Sequence, residues 1–140
     1  MTMRNTENKS RQERDKEFME IYRSVFKEYL AANVPDARLR AINFALQNGR
    51  PRYHVGLDRA MRVVPLLLKG CQSPLKAQSM QDRMWREIAA KVGTLRAGDE
   101  LGIKQAIEFV LTHCRASRFF ISVGYARQLV SPRRRKRLVG

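Results

Sequence analysis

Apolar residues recur at steps of three and four between residues 11 and 32, at Phe18, Ile21, Tyr22, Val25, Phe26, Tyr29 and Leu30. That spacing lays one continuous apolar stripe along a helix. Glu17, Glu20, Arg23, Lys27 and Glu28 fall on the outer face, where opposite charges three or four apart support each other and suit water better than a polyanion. Residues 33–49 read NVPDARLRAINFALQNG. Asn33 is placed to cap a second helix, Pro35 to sit in its first turn and Gly49 to stop it, with Leu39, Ile42, Ala45 and Leu46 facing inward.

The period then changes. In RPRYHV, residues 50–55, Pro51 forces Arg50 out of helical geometry, while Tyr53 and Val55 favour an extended backbone, so a short bridge is predicted. A helix over 57–69 sends Ala60, Val64, Leu67 and Leu68 one way and Arg59, Arg62 and Lys69 the other. Pro65 should kink it and Gly70 end it. The next helix opens at Ser73-Pro74, or at Ser79 with Asp82 as a capping pair, and buries Met84, Trp85, Ile88, Ala89 and Val92 up to Gly93. A long helix over 99–114 uses Ile103, Ile107, Val110 and Leu111, with Asp99 and Glu100 at its positive end. A second bridge, RASRFFIS, leads to a short helix over 124–130, and the tail RRRKRLVG is too charged to pack.

These elements predict a mainly α protein: one compact helical domain over residues 11–130, five or six helices, two short extended bridges, a flexible N-terminus over 1–10 and a disordered basic tail over 131–140. At 140 residues the chain suffices for one core and not for two independent domains of ordinary size.

Two stretches say the same thing twice. Aligning residues 40–64 with 105–130, with one extra residue at Ser117, pairs Ala41-Ile42 with Ala106-Ile107, Phe44 with Phe109 and Leu46 with Leu111. It also pairs Arg50 with Arg115, Arg52 with Arg118, Ala60 with Ala126 and Val64 with Val130. The expected frame is helix, basic-aromatic bridge, helix, in units over 37–70 and 101–130. Spaced apolar residues are common to any two such units; the matched arginines are not required by packing.

Charge gives the pattern a direction. The chain carries 28 Lys and Arg against 13 Asp and Glu, a net +15, and such a surplus repels itself unless a polyanion compensates it. Residues 1–36 are nearly balanced, holding seven of the acids, whereas residues 37–81 hold eight basic residues and one acid, Asp58. From Val110 onward there are eight basic residues and no acid. The excess therefore lies on and around the two bridges.

Chemistry outside binding finds little footing. His54, His113, Cys71 and Cys114 show no CxxC or HxxxH spacing, so neither a metal nor a cofactor is expected. Cys114 and adjacent His113 would point about 100° apart on a helix, which does not make a nucleophile pair. No glycine-rich phosphate loop occurs, and Trp85 reads as core. Tyr53, Phe119 and Phe120 also read as core before base-stacking platforms. The absence of an apolar run long enough to span a bilayer, or of a signal-peptide core, leads to an expectation of a cytoplasmic protein without membrane contact, nucleoid-associated in a bacterium.

A helix, a turn and a helix with an Arg-rich outer face resembles the helix-turn-helix DNA-binding proteins, over residues 37–70 and 101–130, although the turn here is longer. The function expected is non-enzymatic nucleic-acid binding by a small accessory factor, duplex DNA ahead of RNA. Arg50, Arg52, Arg115 and Arg118 would reach phosphates beside the bends; Arg59, Arg62, Lys69 and Arg127 would do so from exposed helix faces. Arg133, Arg134, Arg135, Lys136 and Arg137 would add affinity through counterion release. The alternatives are an RNA-binding or ribosome-associated protein and a virion-type assembly protein. The aromatic stripe of the first helix also suits a homodimer seam.

Overall fold

A computed structural model describes residues 2–71, 75–98 and 100–131, with side chains from residue 9 onward. Six helices make up the described chain: α1 (Thr2–Ala31), α2 (Ala37–Asn48), α3 (Leu57–Leu68), α4 (Met80–Gly98), α5 (Ile103–His113) and α6 (Val123–Val130). The fold is thus mainly helical, and no strand is found among the described residues.

Helix α1 starts at Thr2, earlier than its apolar stripe, because no Gly or Pro between residues 2 and 31 interrupts it. Its far end corrects the expected role of Asn33. The Val34 amide bonds to the Tyr29 carbonyl at 3.0 Å and the Asn33 amide to that of Leu30 at 3.1 Å, with Asn33 at φ 57°. This is a Schellman stop on α1, in which Asn tolerates the left-handed backbone. Asp36, also left-handed at φ 52°, then precedes α2 without a side-chain capping bond.

Schellman bonding ends α3 as well: the Cys71 amide meets the Leu66 carbonyl at 3.0 Å, around Gly70 at φ 80°. The helix runs on through Pro65, whose carbonyl accepts from the Lys69 amide. At α4 the Ser79 hydroxyl accepts from the Asp82 amide at 3.1 Å, so this cap, not Ser73-Pro74, opens the helix; Ser73 and Pro74 lie outside the described residues. The helix passes Gly93 and reaches Gly98. Asp99 likewise lies outside the described residues, and α5 begins at Ile103.

Two apolar clusters form the core. Phe18, Met19 and Tyr22 of α1 pack with Ala41, Ile42, Ala45 and Leu46 of α2, and with Ala126, Leu129 and Val130 of α6. Trp85, Ile88 and Val92 of α4 pack with Ala106, Ile107 and Val110 of α5, and with Ala60, Val63 and Val64 of α3. Leu39 and Leu68, expected inward, are exposed instead, while Ala41 and Val63 take up the interior positions. Of the stripe considered as a seam between two copies, Phe18 and Tyr22 are buried, Ile21, Val25, Phe26 and Tyr29 are partly buried against the same cluster, and Leu30 is exposed.

Each bridge carries the chain from one cluster to the other. Helix α2 packs on α1 and α6, and α3 on α4 and α5, so the helices flanking a bridge belong to different halves. The two helices flanking a bridge therefore do not pack on each other as the helices of a helix-turn-helix protein do. The reason lies in the bridges, which bond to each other: Arg52 and Arg115 pair antiparallel, and the Ala116 amide donates to the Pro51 carbonyl at 2.7 Å. Extended segments whose polar backbone groups satisfy each other cannot also fold back as tight turns.

Candidate nucleic-acid interface

Extended backbone alternates its side chains, and the first bridge follows that rule. Arg50 and Arg52 are exposed, while Pro51 and Tyr53 between and after them are buried. In the second bridge Arg115 is exposed, Ala116 buried and Ser117 exposed; the alternation breaks at half-buried Arg118, before Phe119 turns inward. Phe119 is held there by its amide, which donates to the Leu46 carbonyl at 2.9 Å. The bridge aromatics are thus core: Tyr53 and Phe119 are buried and Phe120 half-buried. Trp85 is fully buried as well.

Two helices clamp the crossed bridges through charged side chains. From α1, Glu17 meets His54 Nε2 at 2.6 Å and Arg115 at 3.6 Å; Glu13 lies 3.9 Å from His54 Nδ1. From α4, Glu87 accepts from the Tyr53 hydroxyl and from the amide and hydroxyl of Ser117. Lys91 donates to the Arg115 carbonyl at 2.6 Å and lies 5.0 Å from the Tyr53 ring centre. Burial pushes the Glu87 carboxyl up, but the donors from Ser117 and Tyr53, with the charge of Lys91, outweigh it and leave the group below its ordinary value. Tyr53 is pushed well above the ordinary phenol value by burial, reinforced by Glu87 as hydrogen-bond acceptor and as a charge. Arg115 therefore spends part of its reach on Glu17.

Beside this clamp lies a cavity of about 250 Å³. Arg52, Arg59 and Arg118 line it, together with Arg11 and Arg14 of α1, and no Asp or Glu is among the lining residues. Arg14 is oriented by Asp15 at 3.0 Å and lies 5.2 Å from the Tyr125 ring centre, whose hydroxyl also donates to Asp15. Arg118 donates through Nε to the Phe119 carbonyl at 3.0 Å. Arg11 and Arg14 escaped the sequence reading because they sit in a charge-balanced segment, and nothing local brings α1 to the bridges.

The remaining basic residues do not gather there. Arg127 lines a separate cavity of about 360 Å³ with Asp36 and Arg38. Arg50, Arg62, Lys69 and Arg115 line neither of these two cavities, although all four are exposed. Arg133, Arg134, Arg135, Lys136 and Arg137 lie outside the described residues.

The four metal-capable side chains stay apart in role. His54 is taken by Glu17, His113 stacks on Phe109 with ring centres 4.5 Å apart, and Cys71 and Cys114 are free thiols. Among the described residues no group of three or more His, Cys, Asp or Glu is placed to hold a metal, and no helix is long and apolar enough to cross a membrane. The chain matches no protein-family profile, no curated protein and no solved structure.

Proposed function

We propose that this protein is a non-enzymatic nucleic-acid-binding factor of the cytoplasm that engages phosphates through the arginines around its crossed bridges, with duplex DNA ahead of RNA. The observation that carries the reading is the convergence of Arg52, Arg59 and Arg118, from three separate segments, on one cavity whose wall contains no carboxylate. Like charges brought together at the surface repel, and a polyanion relieves that cost. Arg127, in its own cavity, and the arginine-rich tail extend the same attraction. Without a compact helix-turn-helix, recognition is of backbone and shape before base edges.

The reading includes a duplication that reaches beyond the two bridge units. Beyond the bridge units, Asp15-Lys16-Glu17-Phe18-Met19-Glu20-Ile21 of α1 answers Asp82-Arg83-Met84-Trp85-Arg86-Glu87-Ile88 of α4, with Val25 answering Val92. Phe18 and Trp85 are each fully buried, one in each of the two clusters. Two three-helix units that exchange their third helices account for paired bridges and a cavity between the halves.

Fluorescence anisotropy with labelled duplex DNA and duplex RNA of equal length, across a salt series, tests the function. The expected result is binding whose logarithm falls linearly with log salt, steeper and tighter for DNA, and weakened in an Arg52→Gln/Arg118→Gln double variant. RNA winning the competition would move the assignment to an RNA-binding protein. No binding to either at low salt would remove the proposal.

A further inference from the structure

We infer that the arginine-lined cavity is a pocket for a single phosphate monoester, such as a mononucleotide or the phosphorylated end of a strand. The inference narrows the nucleic-acid reading and rests on it for the chemistry of the ligand. Three observations converge. First, five arginines line the cavity with no carboxylate among them; Arg11 and Arg52 are exposed and make no side-chain bond within the described chain. A phosphate monoester offers nearly two charges and three acceptor oxygens, more than a carboxylate gives such a set of planar donors.

Second, the aromatic side chain of Trp85 lines the same cavity and gives it an apolar wall beside the arginines. Third, size sets the ligand. The cavity, about 250 Å³, has room for more than an inorganic phosphate. One phosphoryl group with an attached sugar or ring fits, and half-buried Phe120 in the wall gives a ring an apolar surface to rest on.

Trp85 is the only tryptophan of the chain, so its emission reports occupancy directly. The full-length protein is titrated with a nucleoside 5′-monophosphate, the same nucleoside without phosphate, inorganic phosphate, acetate, and a short single strand with and without a 5′-phosphate. The expected result is a saturable emission change with the monophosphate and the phosphorylated strand, a weaker one with inorganic phosphate, and none with the nucleoside or acetate. Arg11→Gln and Arg52→Gln, both at exposed positions, should each raise the monophosphate Kd about tenfold, with helical content unchanged by circular dichroism; Arg127→Gln should leave it unaltered. No saturable response, an equal response to the nucleoside, or a response undiminished in both variants would overturn the inference. Duplex binding with a silent cavity would sink the pocket and spare the nucleic-acid reading; a monophosphate response without polymer binding would do the reverse.

Discussion

The ring of Phe119 meets the ring of Phe18 edge-on, centres 5.4 Å apart and planes at 87°. This contact plants the second bridge in the half built by α1 and α2, just as buried Tyr53 plants the first bridge in the half around Trp85. The crossing of the chain between halves thus depends on two aromatic anchors. Phe119→Ala should cost about 3–5 kcal/mol, read from urea unfolding, and should weaken the bridge pairing enough to speed hydrogen exchange at Ala116.

Gly49 stands where α2 hands over to the bridge, under Phe119. A Cβ there would lie 2.7 Å from both the Ala45 carbonyl oxygen and Phe119 Cε2, and 3.0 Å from Ile21 Cδ1. The carbonyl belongs to α2 and cannot step aside cheaply. Gly49→Ala should therefore destabilise by about 1–3 kcal/mol through overpacking, although alanine is otherwise the better helix former; a gain in Tm would contradict the close approach.

Asn33 holds a left-handed backbone at the end of α1. Asn33→Ala should lose about 1 kcal/mol, whereas Asn33→Gly should be neutral or stabilising. The opposite order in thermal melts would mean that Asn33 acts as a cap for α2 after all.

Glu87 and Tyr53 predict the shape of the stability curve with pH. The Glu87 carboxyl sits below its ordinary value of 4.5, so its contribution is whole above that pH and is lost as pH falls through the lowered folded value. Tyr53 sits above its ordinary 10.0, so its contribution is whole below pH 10 and is lost as pH rises towards the folded value. Chemical unfolding of Glu87→Gln should show a shallower acid slope, and of Tyr53→Phe a shallower alkaline one. Some alkaline loss should persist in the second variant, because burial and Asp15 also raise Tyr125.

Removing residues 132–140 takes away five basic side chains, Arg133 to Arg135, Lys136 and Arg137. On duplex DNA the log–log salt slope should fall by about four to five units, with no change in Tm or in the Trp85 response to a monophosphate. An unchanged slope would show that the tail does not engage the polymer.

Local information was enough for a mainly helical chain of five or six helices, because apolar stripes and the Gly70 stop act within a few residues of one another. It left the start of α4 open between Ser73-Pro74 and Ser79, and placed Asn33 as a cap instead of a stop. Neighbouring residues also set the two extended bridges: Pro51 acts on its neighbour, and aromatic or β-branched residues favour extension wherever they stand. The arginines beside those bridges were legible too, as charge that packing did not demand. What the order of residues could not reveal was partnership. Which half receives α3 and α6, and that Arg11 and Arg14 from a charge-balanced helix come to face Arg52 and Arg118, depends on contacts between segments far apart in sequence. Such contacts are selected by the fit of Phe119 on Phe18 and of Tyr53 beside Trp85, and by backbone groups of two bridges satisfying each other, terms that exist only once the chain has closed on itself.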